Sequence, residues 1–249
     1  MSMKKIVPLA LCLMLAAVML TGCIMVNVPG SWIKGISGRG NQEKYTFNVG
    51  ELTEVRVELL CDIRYSSAPS DSVTLEIQPN LMRHVVVEES GGVLTVRSSR
   101  NIYWSGSTMT PLLSISTPSL CRVSHAGAGT FTTIDPIIAD TFYLSITGAA
   151  SSKAVLDVDS LYVSLAGTGD IELSGRADSA DIRIAGAGRL DALDLQTRDS
   201  MINLAGVGTV RINCAESLSI VAGGLGTVEY KGSPVIDISR GGLVTLRSV

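Results

Sequence analysis

The chain lacks a surplus of basic residues and has few aromatic residues. Its 249 residues include 20 Lys and Arg against 23 Asp and Glu, a formal charge of −3. Proteins that bind a phosphate backbone need a positive surplus to neutralise it, so nucleic acid is excluded as a partner. Aromatic residues make up only 4% of the chain, whereas 46% is hydrophobic and 25 residues are glycine. Abundant aliphatic residues and glycine are typical of a folded all-β protein with many tight turns.

Side chains that carry out catalysis or bind metals are also scarce. His84 and His125 are the two histidines, and neither lies at a recognisable spacing from a nucleophile. The cysteines are far apart and form no Cys-x-x-Cys pair, so neither a zinc site nor a disulfide framework is indicated. We expect Cys61, Cys121 and Cys214 to be buried thiols, and one disulfide among them is the alternative. The sequence therefore predicts no catalytic residue, cofactor or metal ligand.

The first 22 residues have the pattern of a lipoprotein signal peptide. Lys4 and Lys5 precede a 15-residue apolar run, residues 6–20. This length suits a signal peptide and is shorter than the about 20 residues of a membrane-spanning helix. The following Leu20-Thr21-Gly22-Cys23 resembles the bacterial lipobox, and the resemblance implies cleavage before Cys23 and acylation of its thiol. An ordinary secretory signal with an incidental cysteine is the alternative.

An acylated Cys23 would anchor the chain to a membrane, since each buried CH₂ contributes about 0.8 kcal/mol. Cleavage removes Lys4 and Lys5 and no acidic residue, so the charge of the remaining chain becomes −5. Residues 23–43 contain several glycines and are predicted to be a flexible tether. The expected location is the cell membrane or the outer membrane, with the domain facing the periplasm or the exterior.

A small glycine motif recurs every 17 to 21 residues between residues 124 and 242. Each copy follows a short run in which apolar and polar residues alternate. The first glycines of successive motifs are Gly127, Gly148, Gly167, Gly186, Gly206 and Gly224. Glycine suits a corner that needs a positive φ or a close approach of two backbones, so these are predicted structural turn residues. The period predicts an all-β solenoid, a single-stranded parallel β-helix with one repeat in each turn.

The alternating runs superimpose from one repeat to the next. Their apolar residues are predicted to face the core in the pairs Leu144/Ile146, Val163/Leu165, Ile182/Ile184, Ile202/Leu204 and Leu218/Ile220. The intervening residues, including Tyr162, Asp181, Arg183 and Met201, are predicted to point outwards. Residues 44–119 have the pattern of further strands, which either extend the solenoid or form a separate sheet.

Several local motifs accompany the repeats. They are residues 45–49, Glu54-Val55-Arg56-Val57, Gly91-Gly92-Val93-Leu94-Thr95-Val96, Pro118-Ser119-Leu120 and Tyr230-Lys231-Gly232-Ser233-Pro234. With these motifs, residues 44–247 resemble the bacterial putative autotransporter adhesin head domain of GIN type. The resemblance implies a right-handed β-helix that is exported behind a lipoprotein or secretory signal. It implies no catalytic residues.

Two function classes remain open. The first is a non-enzymatic cell-envelope lipoprotein, an adhesin or scaffold that presents a rigid β-helix surface to a glycan or protein partner. The alternative is a cell-surface polysaccharide lyase or glycosidase that uses stacked carboxylates. The alternative requires that Asp157, Asp170, Asp181 or Asp194 converge with Arg176 or Arg183 in one groove. Tyr103 and Trp104 are either an exposed contact or part of a cap over the end of the β-helix.

Overall fold

The computed structural model describes residues 35–99, 103–104 and 109–249. Within these ranges the chain forms nineteen strands and one short helix. In chain order they are β1 (Gly35–Ile36), β2 (Glu43–Phe47), β3 (Glu54–Val57), β4 (Asp62–Ser66), β5 (Ser72–Ile77), α1 (Pro79–Met82), β6 (Val85–Ser90), β7 (Val93–Ser98), β8 (Tyr103–Trp104), β9 (Leu112–Ser116), β10 (Arg122–His125), β11 (Ala128–Thr133), β12 (Ile137–Ile146), β13 (Ala149–Leu165), β14 (Thr168–Ile184), β15 (Ala187–Leu204), β16 (Val207–Ala222), β17 (Leu225–Lys231), β18 (Val235–Arg240) and β19 (Leu243–Ser248).

All strands except β1 and β8 form one continuous sheet. The sheet coils into a parallel β-solenoid of about 7 turns, which confirms the predicted fold class. Strands β13, β14 and β15 each run through nearly a whole turn, and each pairs in parallel with the next. The predicted short strands are therefore segments of long, bent strands.

Each turn has three straight segments, which stack into three faces of the solenoid. Strand β14 illustrates them. Face B contains the segments that follow a corner glycine, such as residues 168–172. Face C contains the middle segments, such as residues 175–177, and face A contains the segments before the next corner glycine, such as residues 181–184. Along faces A and B of this strand, side chains alternate between the core and the surface.

The inward side chains of successive turns stack into a single hydrophobic core. On face A the buried stacks run through the residues Leu144, Val163, Ile182 and Ile202, and Ile146, Leu165, Ile184 and Leu204. The alternation predicted from sequence is confirmed for these four turns. Because each turn alone buries little apolar surface, the stacking of neighbouring turns supplies the core.

The predicted alignment is wrong for the next turn. Ile220 and Ala222 pair with Ile202 and Leu204, whereas Leu218 pairs with Ser200. The turn that contains β16 is shorter on face C, where the register shifts between β15 and β16. A shift of two residues preserves the inward and outward alternation, so periodicity alone could not detect it.

The corner glycines form a column along the edge between faces A and B. A Cβ on each predicted glycine would overlap the carbonyl oxygen of the residue stacked below it, which is Leu59 for Gly127 and the preceding corner glycine in the later turns. The same carbonyls accept ladder hydrogen bonds, as from Ala187 N to Gly167 O at 3.0 Å. None of these six glycines has a positive φ. The close approach of two backbones therefore requires glycine here.

The strands of residues 44–119 belong to the same solenoid, which resolves the alternatives left by the sequence. Strands β3 and β4 stack below β10 and β11, and β7 and β9 stack below β3 and β4 in turn. Antiparallel partners extend this end: β6 pairs with β7, β5 with β9, and β2 with β5. The first turn of the solenoid is therefore built from β7 and β9. These strands come later in the chain than β3 and β4, which build the second turn.

The described part of the predicted tether makes contacts with later segments of the chain. Strand β1 pairs with β8, the strand formed by Tyr103 and Trp104. The Asn80 side chain accepts a hydrogen bond from Arg39 N and donates one to Ser37 O, both at 2.9 Å. These contacts involve only part of the predicted tether, residues 23–43, and its flexibility stays a prediction.

The predicted signal peptide, residues 1–22, lies outside the described residues. The same holds for the predicted acylation site Cys23 and for the rest of the tether up to residue 34. In the ranges that the structure describes, no helix has the length and apolar character needed to cross a bilayer.

Candidate functional site

The outward residues of face A form two columns that run across the turns. The first, which we call the aromatic column, contains Glu54, Arg122, Tyr143, Tyr162, Asp181 and Met201 in successive turns. The second, which we call the serine column, contains Arg56, Ser124, Ser145, Ser164, Arg183 and Asn203. Neighbours within a column are about 4.8 Å apart at the backbone. This regular spacing brings distant residues into direct contact.

Two tyrosines stack in the middle of the aromatic column. The ring centroids of Tyr143 and Tyr162 are 4.8 Å apart and their planes differ by 11°. The guanidinium carbon of Arg122 lies 3.9 Å from the centroid of the Tyr143 ring. A guanidinium over an aromatic face stabilises the pair by about 0.5–1 kcal/mol at an exposed site. The rings are therefore held in fixed positions, although Tyr162 remains 41% exposed.

Ion pairs flank the stacked rings at both ends. Arg183 donates from Nε to Asp181 Oδ1 at 3.1 Å and from Nη2 to Asp181 Oδ2 at 2.8 Å. The hydrogen bond and charge of Asp181 raise the pKa of Arg183. At the other end, Glu54 lies 2.6 Å from Arg56 and 3.6 Å from Arg122. The two-point bond fixes the orientation of the Asp181 carboxylate, so it can accept further hydrogen bonds in a defined direction.

Two hollows open beside the aromatic column. One, of about 420 Å³, lies on the side of the serine column and is lined by Arg122, Tyr143, Ser145, Ser164 and Arg183. The other, of about 310 Å³, is lined by Met201, Asp199, Ser179, Ser217 and Ser219. Tyr162 and Asp181 border both hollows. An aromatic surface beside hydroxyl and charged groups can bind a polar ligand by stacking and hydrogen bonding.

The carboxylates required by the enzyme alternative do not converge. They lie in different places: Asp181 on face A, Asp170 on face B, Asp157 on face C and Asp194 at the corner between faces B and C. Of the two arginines, Arg176 is 3.8 Å from Asp157, whereas Arg183 is bonded to Asp181. The condition that sequence analysis set for a carboxylate groove is therefore not met by these residues.

Face B carries charges that pair with one another across the turns. Lys153 Nζ lies 2.7 Å from Glu172. Arg211 lies 2.7 Å from Asp191 and 3.0 Å from Glu229. These partners already satisfy each other, and among the described residues no aromatic ring stacks beside them. Face A is therefore the better candidate for a binding surface.

The sequence of this repeated fold matches a known protein family. The sequence profile of the putative auto-transporter adhesin, head GIN domain, matches residues 51–234. The chain belongs to this family. The match confirms the resemblance inferred from the sequence motifs, and it lies within the predicted domain of residues 44–247.

Solved structures similar to this GIN-domain chain share its fold. A putative adhesin from Bacteroides fragilis is 22% identical with a TM-score of 0.80, covering 86% of this chain and 100% of that one. A putative lipid binding protein from Parabacteroides distasonis is 22% identical with a TM-score of 0.68, covering 87% and 100%. A putative adhesin from Parabacteroides merdae is 18% identical with a TM-score of 0.60, covering 86% and 99%. Among curated proteins, none matches this chain.

The thiols in the described part of the GIN domain are largely buried. Cys61, Cys121 and Cys214 are free thiols, and only Cys121 is partly exposed. Burial raises the pKa of the Cys61 thiol to about 12, which suppresses the thiolate needed for nucleophilic attack. In the part of the chain that the structure describes, no three or more His, Cys, Asp or Glu side chains cluster as metal ligands would.

Acidification is expected to destabilise the GIN domain through His125. This side chain is 1% exposed in the core, and burial lowers its pKa below the ordinary value of 6.5. The unfolded chain therefore binds more protons just below about pH 6.5, and stability is lost as the pH falls through that range. The slope contributed by one proton reaches about 1.4 kcal/mol per pH unit. Urea unfolding between about pH 7.5 and 5 measures it.

His125→Gln removes the titrating group and is expected to give a flatter dependence of stability on pH. His84→Gln is the matched control for the replacement of a histidine by glutamine. Equal slopes in the wild type and His125→Gln would contradict the assignment.

Proposed function

We propose that this adhesin-like chain is a non-enzymatic binding module of the cell envelope, anchored through acyl chains on Cys23, and that it binds a glycan on face A. The observation that carries the proposal is the stack of Arg122, Tyr143 and Tyr162 on an otherwise polar surface. Rigid aromatic side chains contribute large contact areas to binding surfaces at a low entropic cost. Membership of an adhesin head family supports a role at the cell surface.

The groups around the stack favour a glycan over a protein partner. Serine hydroxyls line both hollows, and the Asp181–Arg183 pair offers both an acceptor and donors of hydrogen bonds. The apolar C–H groups of a sugar can pack on an aromatic ring, and its hydroxyls can form hydrogen bonds with serine, aspartate and arginine side chains. Protein-binding surfaces, in contrast, have an apolar centre depleted of charge.

Binding without turnover is proposed because the carboxylates that the enzyme alternative requires lie on different faces, and the Asp181 and Asp199 carboxylates beside the second hollow are each paired with an arginine. Glycosidases place two carboxyl groups about 5–10 Å apart on opposite sides of the scissile bond. In this structure Asp181 stands on face A beside Arg183, while Asp157 and Asp170 lie on the other faces. A carboxylate held by an arginine, as Asp181 is by Arg183, can orient a ligand.

A glycan array and a pull-down from envelope extracts, both with the whole chain, test the proposal. Tyr143→Ala and Tyr162→Ala are expected to weaken glycan binding about tenfold or more, which corresponds to about 1.4 kcal/mol. Ile138→Ala is the control, because this side chain is exposed and lies outside face A. The binding of the control should equal that of the wild type.

A hydrolysis and elimination screen on the same glycans separates binding from catalysis. We expect no turnover. A product that disappears in Asp181→Asn would contradict the non-enzymatic assignment. Unchanged glycan binding in both tyrosine variants would show that face A is not the binding surface.

A further inference from the structure

The aromatic column is interrupted by one short side chain. Tyr143 and Tyr162 occupy successive turns, Asp181 occupies the next, and Met201 follows. An aspartate side chain ends much closer to the backbone than a tyrosine ring does. The outer part of the Asp181 turn is therefore open between the Tyr162 ring and the Met201 side chain, both of which are more than 40% exposed. We call this opening the column gap.

The column gap has the height of one ring. Tyr162 and Met201 are two turns apart, or about 9.6 Å at twice the inter-strand spacing. A ring placed at the level of Asp181 would lie about 4.8 Å from each neighbour. That is the separation observed between the Tyr143 and Tyr162 rings, 4.8 Å. A ligand ring in the gap would thus continue the existing stack at its own spacing.

The floor and sides of the column gap are polar. Asp181 forms the floor, with its carboxylate fixed by two hydrogen bonds from Arg183. Serine hydroxyls lie on both sides, Ser164 in one hollow and Ser179 in the other. A flat hydrocarbon ring would remove these groups from water without replacing their hydrogen bonds, which is costly. A ring that carries several hydroxyls satisfies them.

We propose that the column gap binds one pyranose ring of a neutral glycan, which stacks its C–H face on Tyr162 and hydrogen-bonds to Asp181 and Arg183. This inference rests on the proposed function and names the sugar-binding position within face A. The ring takes the place of the missing side chain in the column. Met201 closes the far side with a flexible thioether that adapts to rings of different shape.

The charges at the gap favour a neutral sugar over an acidic one. The Asp181 carboxylate forms the floor, and Asp199 lines the adjoining hollow. Asp199 is paired with Arg198 at 3.0 Å, so a uronate placed in the gap would bring a carboxylate beside two carboxylates whose arginine partners are already engaged. The positive charge of Arg183 is already engaged by Asp181 at 2.8 Å.

The decisive variant is Asp181→Tyr, which fills the column gap with a ring that can stack on Tyr162. Because it continues the column, it is expected to fold and to unfold at the temperature of the wild type or higher. Asp237→Tyr is the matched control, since Asp237 stands in the same outward column three turns further on. Asp181→Asn keeps the shape of the side chain and tests the carboxylate alone.

The probes are the methyl pyranosides of glucose, galactose, mannose and N-acetylglucosamine, with methyl glucuronide as the acidic comparison. Saturation-transfer NMR with the whole chain detects binding, and titration measures the dissociation constant. We expect at least one neutral pyranoside to bind, with affinity at least about tenfold lower in Asp181→Tyr and unchanged in Asp237→Tyr. The methyl glucuronide should bind more weakly than the neutral sugars.

Three results would overturn the inference: no neutral pyranoside binds, Asp181→Tyr binds as the wild type does, or the glucuronide is preferred. The Tyr143→Ala variant distinguishes this failure from that of the proposed function. Tyr143 borders only the hollow beside the serine column. If array binding is lost in Tyr143→Ala but kept in Asp181→Tyr, face A binds glycans and the column gap does not. If Tyr143→Ala, Tyr162→Ala and Asp181→Tyr all leave binding unchanged, both the inference and the proposed site on face A are wrong.

Discussion

Gly224→Ala is expected to lower the free energy of unfolding by about 3 kcal/mol, whereas the same substitution at the adjacent Gly223 is not. A Cβ on Gly224 would overlap the carbonyl oxygen of Gly206 in the turn below. That oxygen accepts the ladder hydrogen bond from Leu225 N at 3.0 Å, so it cannot move aside without breaking the stack. Urea unfolding of the two variants and the wild type measures the difference.

Gly223 is the matched control because a Cβ there has no atom within 4 Å, and its φ is not positive. Gly223→Ala should therefore leave stability unchanged or raise it by up to about 1 kcal/mol, since alanine restricts the unfolded chain. Gly186→Val extends the test to the middle of the column, where the neighbour is the Gly167 carbonyl. Equal stabilities of the Gly223 and Gly224 variants would mean that adjacent turns do not approach as closely as described.

Cys23→Ser is expected to move the whole chain from the detergent phase into the aqueous phase in a Triton X-114 partition. One acyl chain of about 16 carbons contributes on the order of 12 kcal/mol when buried, and the lipobox resemblance implies two or three such chains. The hydroxyl of serine does not accept the thioether-linked lipid. Removal of the anchor should therefore change the partition almost completely.

Cys12→Ser is the control for the loss of a thiol. Cys12 lies within the predicted signal peptide, residues 1–22, so its substitution should leave the detergent partition unchanged. If the wild type itself remains in the aqueous phase, Cys23 carries no lipid and the ordinary secretory signal is the correct interpretation.

The solenoid could be predicted from the repeats because both of its structural requirements are visible within a single repeat of the sequence. Inward stacking demands alternation within each strand, and the tight corner demands glycine at positions such as Gly167 and Gly186. The register of Ile220 was missed, since a displacement by two residues leaves alternation intact. The position of β7 and β9 below β3 and β4 was left open. No local pattern records which of two strands is stacked first.

The binding surface was only partly predictable from sequence. Alternation correctly placed Tyr162, Asp181 and Met201 on the outside. The stack with Tyr143 was not anticipated, although a spacing of 19 residues, equal to one repeat, separates the two tyrosines. Outward residues one repeat apart lie side by side, as inward ones do, so the repeat itself places the two tyrosine rings next to each other. The side-chain directions that create the hollows depend on neighbouring turns and follow only from the folded chain.

The order of strands at the beginning of the solenoid has a consequence for how the chain folds. Strands β3 and β4 precede β7 and β9 in the chain, although β7 and β9 form the turn beneath them. Strands β3 and β4 are therefore paired on both sides only after β7 and β9 have folded back beneath them. Such non-local pairing is slow. From β10 onwards the strands of each turn pair with those of the turn that precedes it in the chain. We expect closure of this initial template to limit the rate of folding, and the remaining turns to follow in sequence.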